Sequence, residues 1–177
     1  MKGSRHAFRL STLPYPPLTE DLHFEIELVI AIGKGGADIA AADVPDHIWG
    51  ASVGIDLTRR DLQNEAKKMS RPWDWSKAFD HSAPIAPIVP MADVPSLTQG
   101  RIWLAVNGEI KQDADIADLI WPVADHIATL SQAMTLAPGD IIMTGTPAGV
   151  GAVTPGDVMT GGVDGIAELE VTVGPRA

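Results

Sequence analysis

A chain of 177 residues with 45% hydrophobic residues is large enough for one globular domain with a substantial core, and no apolar run approaches the roughly 18 residues of a membrane helix. Thirteen Lys and Arg against twenty-three Asp and Glu give a formal charge of −10, which argues against nucleic acid as a partner. Cysteine is absent, so any metal must sit on oxygen or imidazole ligands, and with no apolar segment after Met1–His6 no signal peptide is read and a cytoplasmic location is expected.

In chain order, the stretch up to about Thr19 reads as irregular, because Pro14, Pro16 and Pro17 oppose any regular element; residues 1–14 form a lead-in and 15–177 a single domain. Leu22 to Ile32, rich in β-branched residues and closed by Gly33-Lys34-Gly35-Gly36, predicts one strand. A second strand is expected from about His47 to Leu57. A helix follows from Thr58 to Met69, with Thr58 as cap, Asp61 in the first turn and Lys67 and Lys68 in the last. The prolines and tryptophans between Ser70 and Pro90 suggest an ordered loop. Asn107-Gly108 between Arg101–Val106 and Glu109–Gln112 marks a type I′ hairpin. Pro122 opens a helix on which Val123, Ile127, Leu130 and Met134 recur at helical spacing, and Ile141–Thr144 and Gly165–Val173 read as strands. The fold class is α+β and β-rich, with two or three helices.

Glu25 and Glu27 are the most informative residues. On a strand, side chains two apart leave the same face, whereas on a helix they diverge by about 160°. Here they share a face with Val29 and Ala31 on an otherwise apolar strand, so burial costs several kcal/mol per ion unless a cation or a basic partner compensates. An exposed strand end is the competing reading. Glu168 and Glu170 have the same spacing, but their strand alternates cleanly and predicts a solvated face. Asp56 at a strand–helix junction is either a cap or a ligand. Arg60 and Gln63, three apart on one helix face, either point where Asp56 points or are solvated. Lys77, among Trp73, Trp75 and Phe79, is either desolvated for an anionic ligand or snorkels to water. Thr144–Gly151 is a small-anion loop or a plain turn; it lacks the ending of a nucleotide P-loop. Gly50-Ala51-Ser52-Val53-Gly54 matches a serine nucleophile elbow, with Asp118 and His126 as partners, but the chain stays extended after Gly54 and His126 falls inside a helix.

The chain resembles the fumarylacetoacetate hydrolase superfamily, nearest to its fumarylpyruvate and acylpyruvate hydrolase branch. The resemblance rests on Tyr15-Pro16-Pro17, Leu22–Leu28, Asp56–Gln63, Arg71-Pro72-Trp73, Lys77–Pro84, Val106-Asn107-Gly108, Pro138-Gly139-Asp140 and Thr144–Gly151, in that order. It implies a mixed β-roll of curved sheets with short helices, usually as a homodimer. It implies Glu25, Glu27 and Asp56 as ligands of Mg²⁺ or Mn²⁺, and Arg60, Gln63, Lys77 and Thr146 as contacts to substrate, Lys77 being catalytic. The implied reaction is hydrolysis of a carbon–carbon bond in a 2,4-dioxo acid such as fumarylpyruvate, releasing pyruvate, with the cation as Lewis acid and a general base activating water.

The resemblance also implies an upstream segment with a His and a Glu that activate the water, and that motif is not found ahead of Tyr15; His6 has none of its neighbours. The chain is therefore expected to be N-terminally truncated and its hydrolysis impaired. Oxaloacetate decarboxylation or keto–enol isomerisation, which need no attacking water, is the alternative activity, and a non-catalytic metal-binding remnant is the third.

Overall fold

The computed structural model describes residues 8–9 and 12–176; His6, at the start of the expected lead-in, lies outside them. Strands β1 (Phe8–Arg9), β2 (Leu13–Tyr15), β3 (Leu22–Phe24), β4 (Ile26–Ile32), β5 (Ile48–Ile55) and β6 (Thr58–Arg59) precede two helices, α1 (Arg60–Lys68) and α2 (Asp74–Lys77). After β7 (Val89–Pro90), β8 (Arg101–Val106) and β9 (Glu109–Asp115) comes α3 (Val123–Ala133), then β10 (Ile141–Met143), β11 (Gly151–Val153), β12 (Val158–Val163) and β13 (Ala167–Arg176).

The described residues form three sheets. The largest runs β1-β13-β12-β8-β9, with β2 also on β13; the second runs β10-β4-β5-β7; the third, β11-β3-β6, is the smallest. The β-rich roll with short helices is the expected architecture. The core lies where the first two sheets meet, β12 and β13 against β5 and β8 against β4. Leu28, Ile30, Val53, Ile55, Leu104, Leu169 and Val171 are fully buried there, and each such aliphatic side chain contributes about 1.5–3 kcal/mol. Among the described residues no helix is long and apolar enough to cross a membrane.

Several local expectations are corrected. The stretch before Thr19 is not wholly irregular: Leu13–Tyr15 pairs in parallel with β13, and Pro14 is tolerated because β2 has no second strand partner among the described residues. The expected strand Leu22–Ile32 breaks at Glu25 into two strands that belong to different sheets. Thr58 does not cap a helix; it is buried in β6, opposite His23, and α1 starts at Arg60. Asp61 instead accepts from Thr19 Oγ1 at 2.6 Å and from the Glu20 N–H at 3.0 Å, which ties the helix start to the β2–β3 connection. Met134 lies past the end of α3 in extended backbone and is exposed, so the buried stripe of that helix, Val123, Ile127 and Ser131 with half-buried Leu130, stops short of it.

Strand β12 has no strand signature because of Gly161 and Gly162. Space explains them: a Cβ on Gly161 would lie 2.8 Å from Ile26 Cδ1 and 3.0 Å from the Trp103 carbonyl oxygen. The hairpin forms as its sequence predicts, with Asn107 and Gly108 at φ 51° and 83°, the pair of positive values a type I′ turn requires.

Candidate metal centre

Glu25 stands at the joint between β3 and β4, and Asp56 just past β5. One antiparallel register runs through both joints, with Leu22 opposite Arg59, His23 opposite Thr58 and Ile26 opposite Ile55. Glu25 and Asp56 are thereby cross-strand neighbours, and the Asp56 N–H donates to the Glu25 carbonyl at 2.8 Å. Glu27 lies two residues further on β4, opposite Gly54. One carboxylate oxygen from each of Glu25, Glu27 and Asp56 lies within 4.8 Å of the other two.

Helices α1 and α2 bring cations to this cluster. Lys77 Nζ donates to Glu25 Oε2 at 2.7 Å and also to Asp56 Oδ2, while Arg60 Nη2 donates to Glu25 Oε1. Arg60 Nη1 is held by Gln63 Oε1 at 2.6 Å, and Gln63 is itself buried. Thus Arg60 and Gln63 face the carboxylates rather than solvent. Lys77 is half-buried against the acids; the tryptophans do not enclose it, since Trp73 and Trp75 are exposed and Lys67 covers the Trp73 ring.

The three acids differ in environment. Burial raises the Glu25 carboxyl, but the Lys77 and Arg60 bonds outweigh it and hold the group below its ordinary value. Burial raises Asp56, and Lys77 only partly opposes it. Glu27 has neither base bonded to it. Burial, reinforced by the charges of Asp56 and Glu25, pushes it up to about 7 against the one bond from the Gly145 N–H, 2.7 Å from Oε2. The loop from Thr144 thus serves an anion that belongs to the protein itself. An all-oxygen donor set with one under-compensated carboxylate fits a hard divalent cation, Mg²⁺ or Mn²⁺.

Thr146 reaches the centre through a residue that sequence reasoning missed. Gln112, buried in β9, accepts from the Ile26 N–H at 3.0 Å and donates from Nε2 to Thr146 Oγ1 and the Pro147 carbonyl, both at 2.8 Å. Beside this loop opens a cavity of about 650 Å³, lined among others by Gly145, Thr146, Ile116, Leu119 and Trp121. The serine-elbow alternative has no geometry. Ser52 is fully buried in the middle of β5 and donates to the Ala86 carbonyl at 2.8 Å, while Asp118 and His126 line the cavity. Gly50 is explained by close packing, because a Cβ there would lie 2.2 Å from the Val89 carbonyl oxygen.

Known proteins share this arrangement's sequence and fold. The chain is 48% identical over 165 residues to the fumarylpyruvate hydrolase of a Ralstonia species, covering 93% of this chain and 85% of the relative. The mitochondrial oxaloacetate tautomerase of Rattus norvegicus is 37% identical over 158 residues, 89% of this chain and 72% of the relative. The structure of fumarylpyruvate hydrolase from Pseudomonas aeruginosa in complex with Mn²⁺ and pyruvate matches with a TM-score of 0.93 at 47% identity, covering 97% of this chain and 75% of that one. The profile of the Fumarylacetoacetate (FAA) hydrolase C-terminal family matches residues 2–174, and this chain belongs to that family.

Proposed function

We propose that this protein is a divalent-metal-dependent hydrolase that cleaves a carbon–carbon bond in 2,4-dioxo acids such as fumarylpyruvate or acylpyruvates and releases pyruvate. The observation that carries the reading is the convergence of three carboxylates within 4.8 Å under two cationic side chains. Glu25, Glu27 and Asp56 would hold Mg²⁺ or Mn²⁺. The ion supplies Lewis acidity at the oxo-acid end of the substrate. Arg60, fixed in direction by Gln63, offers a planar guanidinium to the substrate carboxylate, a geometry that a bidentate contact requires. Lys77, shared between Glu25 and Asp56, is the catalytic cation: it moves from its carboxylates to the oxygen where negative charge develops as the carbon–carbon bond breaks. Thr146 contributes a hydroxyl from the opposite side of the site. The exposed Ile120 and Trp121 beside the cavity support a homodimer, in which a second copy covers them.

Similarity to an oxaloacetate tautomerase supports a second reading, keto–enol isomerisation or decarboxylation of oxaloacetate at the same centre. Both reactions use the cationic groups at the acid end, and they part company at the attacking water, which only hydrolysis needs. One experiment separates them. The chain is incubated with Mn²⁺ or Mg²⁺ and an acylpyruvate, and pyruvate is followed by coupled oxidation of NADH; in parallel, oxaloacetate is followed by loss of enol absorbance and by release of carbon dioxide. Pyruvate release above the metal-only blank is expected. Enol loss or carbon dioxide without acylpyruvate cleavage selects the second reading, and metal binding with no reaction rejects both.

A further inference from the structure

Strand β10 accompanies β4 only from Ala31 to Val29, and beyond Met143 its chain leaves the edge as the loop that begins at Thr144. Ile26, the residue between Glu25 and Glu27, therefore has no strand to receive its N–H on that edge. The Gln112 side chain occupies the place. Its Oε1 accepts from Ile26 N–H and its Nε2 donates to the Pro147 carbonyl, so a carboxamide continues the ladder that β10 abandons. The amide's orientation follows from chemistry: a backbone N–H can only donate, so the atom facing Ile26 is the oxygen. Close contact between the loop and β9 permits the reach, since Gly149 has φ +98° and a Cβ there would lie 2.1 Å from the Lys111 carbonyl oxygen.

The second proton of Nε2 goes to Thr146 Oγ1. A hydroxyl that accepts on one side keeps its own proton to donate on another, and Thr146 lines the cavity. Its neighbour Gly145 is already fixed on Glu27. We propose that Gln112 is a positioning residue that presents the Thr146 hydroxyl as a hydrogen-bond donor to an oxygen of a small oxo acid, and locks that donor to Ile26, the residue between Glu25 and Glu27. The proposal deepens the metal-centred function above and rests on it.

The test is a double-mutant cycle on the full chain, with pyruvate titrated onto the Mn²⁺-loaded protein and Mn²⁺ affinity measured separately from the signal of the free ion in electron paramagnetic resonance. Gln112→Met keeps the length and loses every bond; it should weaken pyruvate binding about tenfold and change Mn²⁺ affinity by less than about threefold. Thr146→Val should lose about as much, and the double variant no more than Thr146→Val alone, because one residue acts through the other. Additive losses, unchanged pyruvate affinity in Gln112→Met, or equal losses for ion and pyruvate overturn the proposal. If thermal melts show that Gln112→Met does not fold, Gln112→Glu, which retains the acceptor for Ile26 and the volume, takes its place in the same cycle. A wild-type chain that binds no Mn²⁺ overturns the metal reading itself and this proposal with it, an outcome distinct from the failures of the cycle.

Discussion

Two Glu-x-Glu pairs with identical spacing meet different fates in this protein, one at the start of β4, with Glu25 just before the strand, and the other within β13. Glu25 and Glu27 are 7% and 4% exposed, whereas Glu168 is exposed and Glu170 half-buried. Strand pairing does not account for this, since the exposed pair has more of it: β13 lies between β12 and β1 at Leu169 and Glu170, whereas at Glu27 β4 is paired with β5 and β10 reaches only as far as Val29. What separates them is the cover over the carboxylate face. On β13 the apolar residues Leu169, Val171 and Val173 go to the core and the other face stays partly open; on β4 every residue from Ile26 to Ile32 is buried. Helices α1 and α2 then lay Arg60 and Lys77 over the first pair. Spacing decides that two carboxylates share a face, and the layer above that face decides whether they are a solvated surface or a centre able to hold a cation.

The comparison breaks most sharply on metal affinity. Glu25→Gln and Glu27→Gln should each weaken Mn²⁺ binding roughly a thousandfold, about 4 kcal/mol, because each would remove an anionic ligand from the proposed buried site. Glu168→Gln and Glu170→Gln should leave it within about twofold. Calorimetric titration of the four variants checks this, and a Glu25→Gln variant that keeps its affinity would move the ion to another place.

Residue types leave the centre open: the apolar run around Glu25 and Glu27 fits a buried pair or an exposed strand end, and it is the family resemblance that groups Asp56, Arg60, Gln63, Lys77 and Thr146 with it. The structure brings Arg60 and Lys77 directly to the carboxylates, Gln63 through Arg60, and Thr146 through Gln112. What could not be read was register. Glu25 and Asp56 are neighbours only because β3–β6 and β4–β5 keep one pairing across two strand breaks, and no periodicity encodes the pairing of segments thirty residues apart. Gln112 was hidden for a related reason. Counting back from the Asn107-Gly108 turn sets Lys111 opposite Leu104, but a bulge between Leu104 and Ala105 shifts the ladder and sets Gln112 there instead, turning an amide inward that a regular hairpin would expose. The strand at Leu13–Tyr15 was obscured by Pro14, whose cost disappears at a sheet edge. Thr58 looked like a cap because its hydroxyl and position suit one, yet its branched side chain is used in β6.

Protonation sharpens the contrast next. Without metal, burial raises Glu27 from 4.5 to about 7. The folded protein then keeps a proton that the unfolded chain has released, so the stability this group supports is complete below about pH 4.5 and is lost as pH rises through 7. The difference is on the order of 3 kcal/mol. Melting temperature in chelator should accordingly fall between pH 5 and 8, and Glu27→Gln should flatten that slope while Glu168→Gln leaves it unchanged. Because a cation must displace the proton, the stabilisation given by Mn²⁺ should grow over the same interval. A chelator-treated protein whose stability rises from pH 5 to 8, with Glu27→Gln behaving as wild type, would place Glu27 in a solvated setting like that of Glu168.

The smallest effect comes from the residue opposite one glutamate of each pair, which in both cases is glycine: Gly54 faces Glu27 and Gly162 faces Glu168. Gly54→Ala puts a Cβ 2.9 Å from Val29 Cγ2, 3.1 Å from Ile85 Cγ1 and 3.3 Å from Met143 Cε. Val29 is fully buried and stiff at χ1, so the strain passes to β4; a loss of about 1–2 kcal/mol is expected, with weaker Mn²⁺ binding because Val29 shares a face with Glu27. Gly162→Ala puts its Cβ 2.8 Å from Glu168 Cγ, but that side chain is exposed and swings into water. The Ala167 carbonyl oxygen at 3.1 Å is the contact that yields least, so a loss of about 0.5 kcal/mol remains. Urea unfolding of the two variants orders them. If Gly162→Ala proves the more costly, the face of β13 is closed by something that its exposed glutamate conceals, and the distinction between the two strands has to be redrawn at that contact.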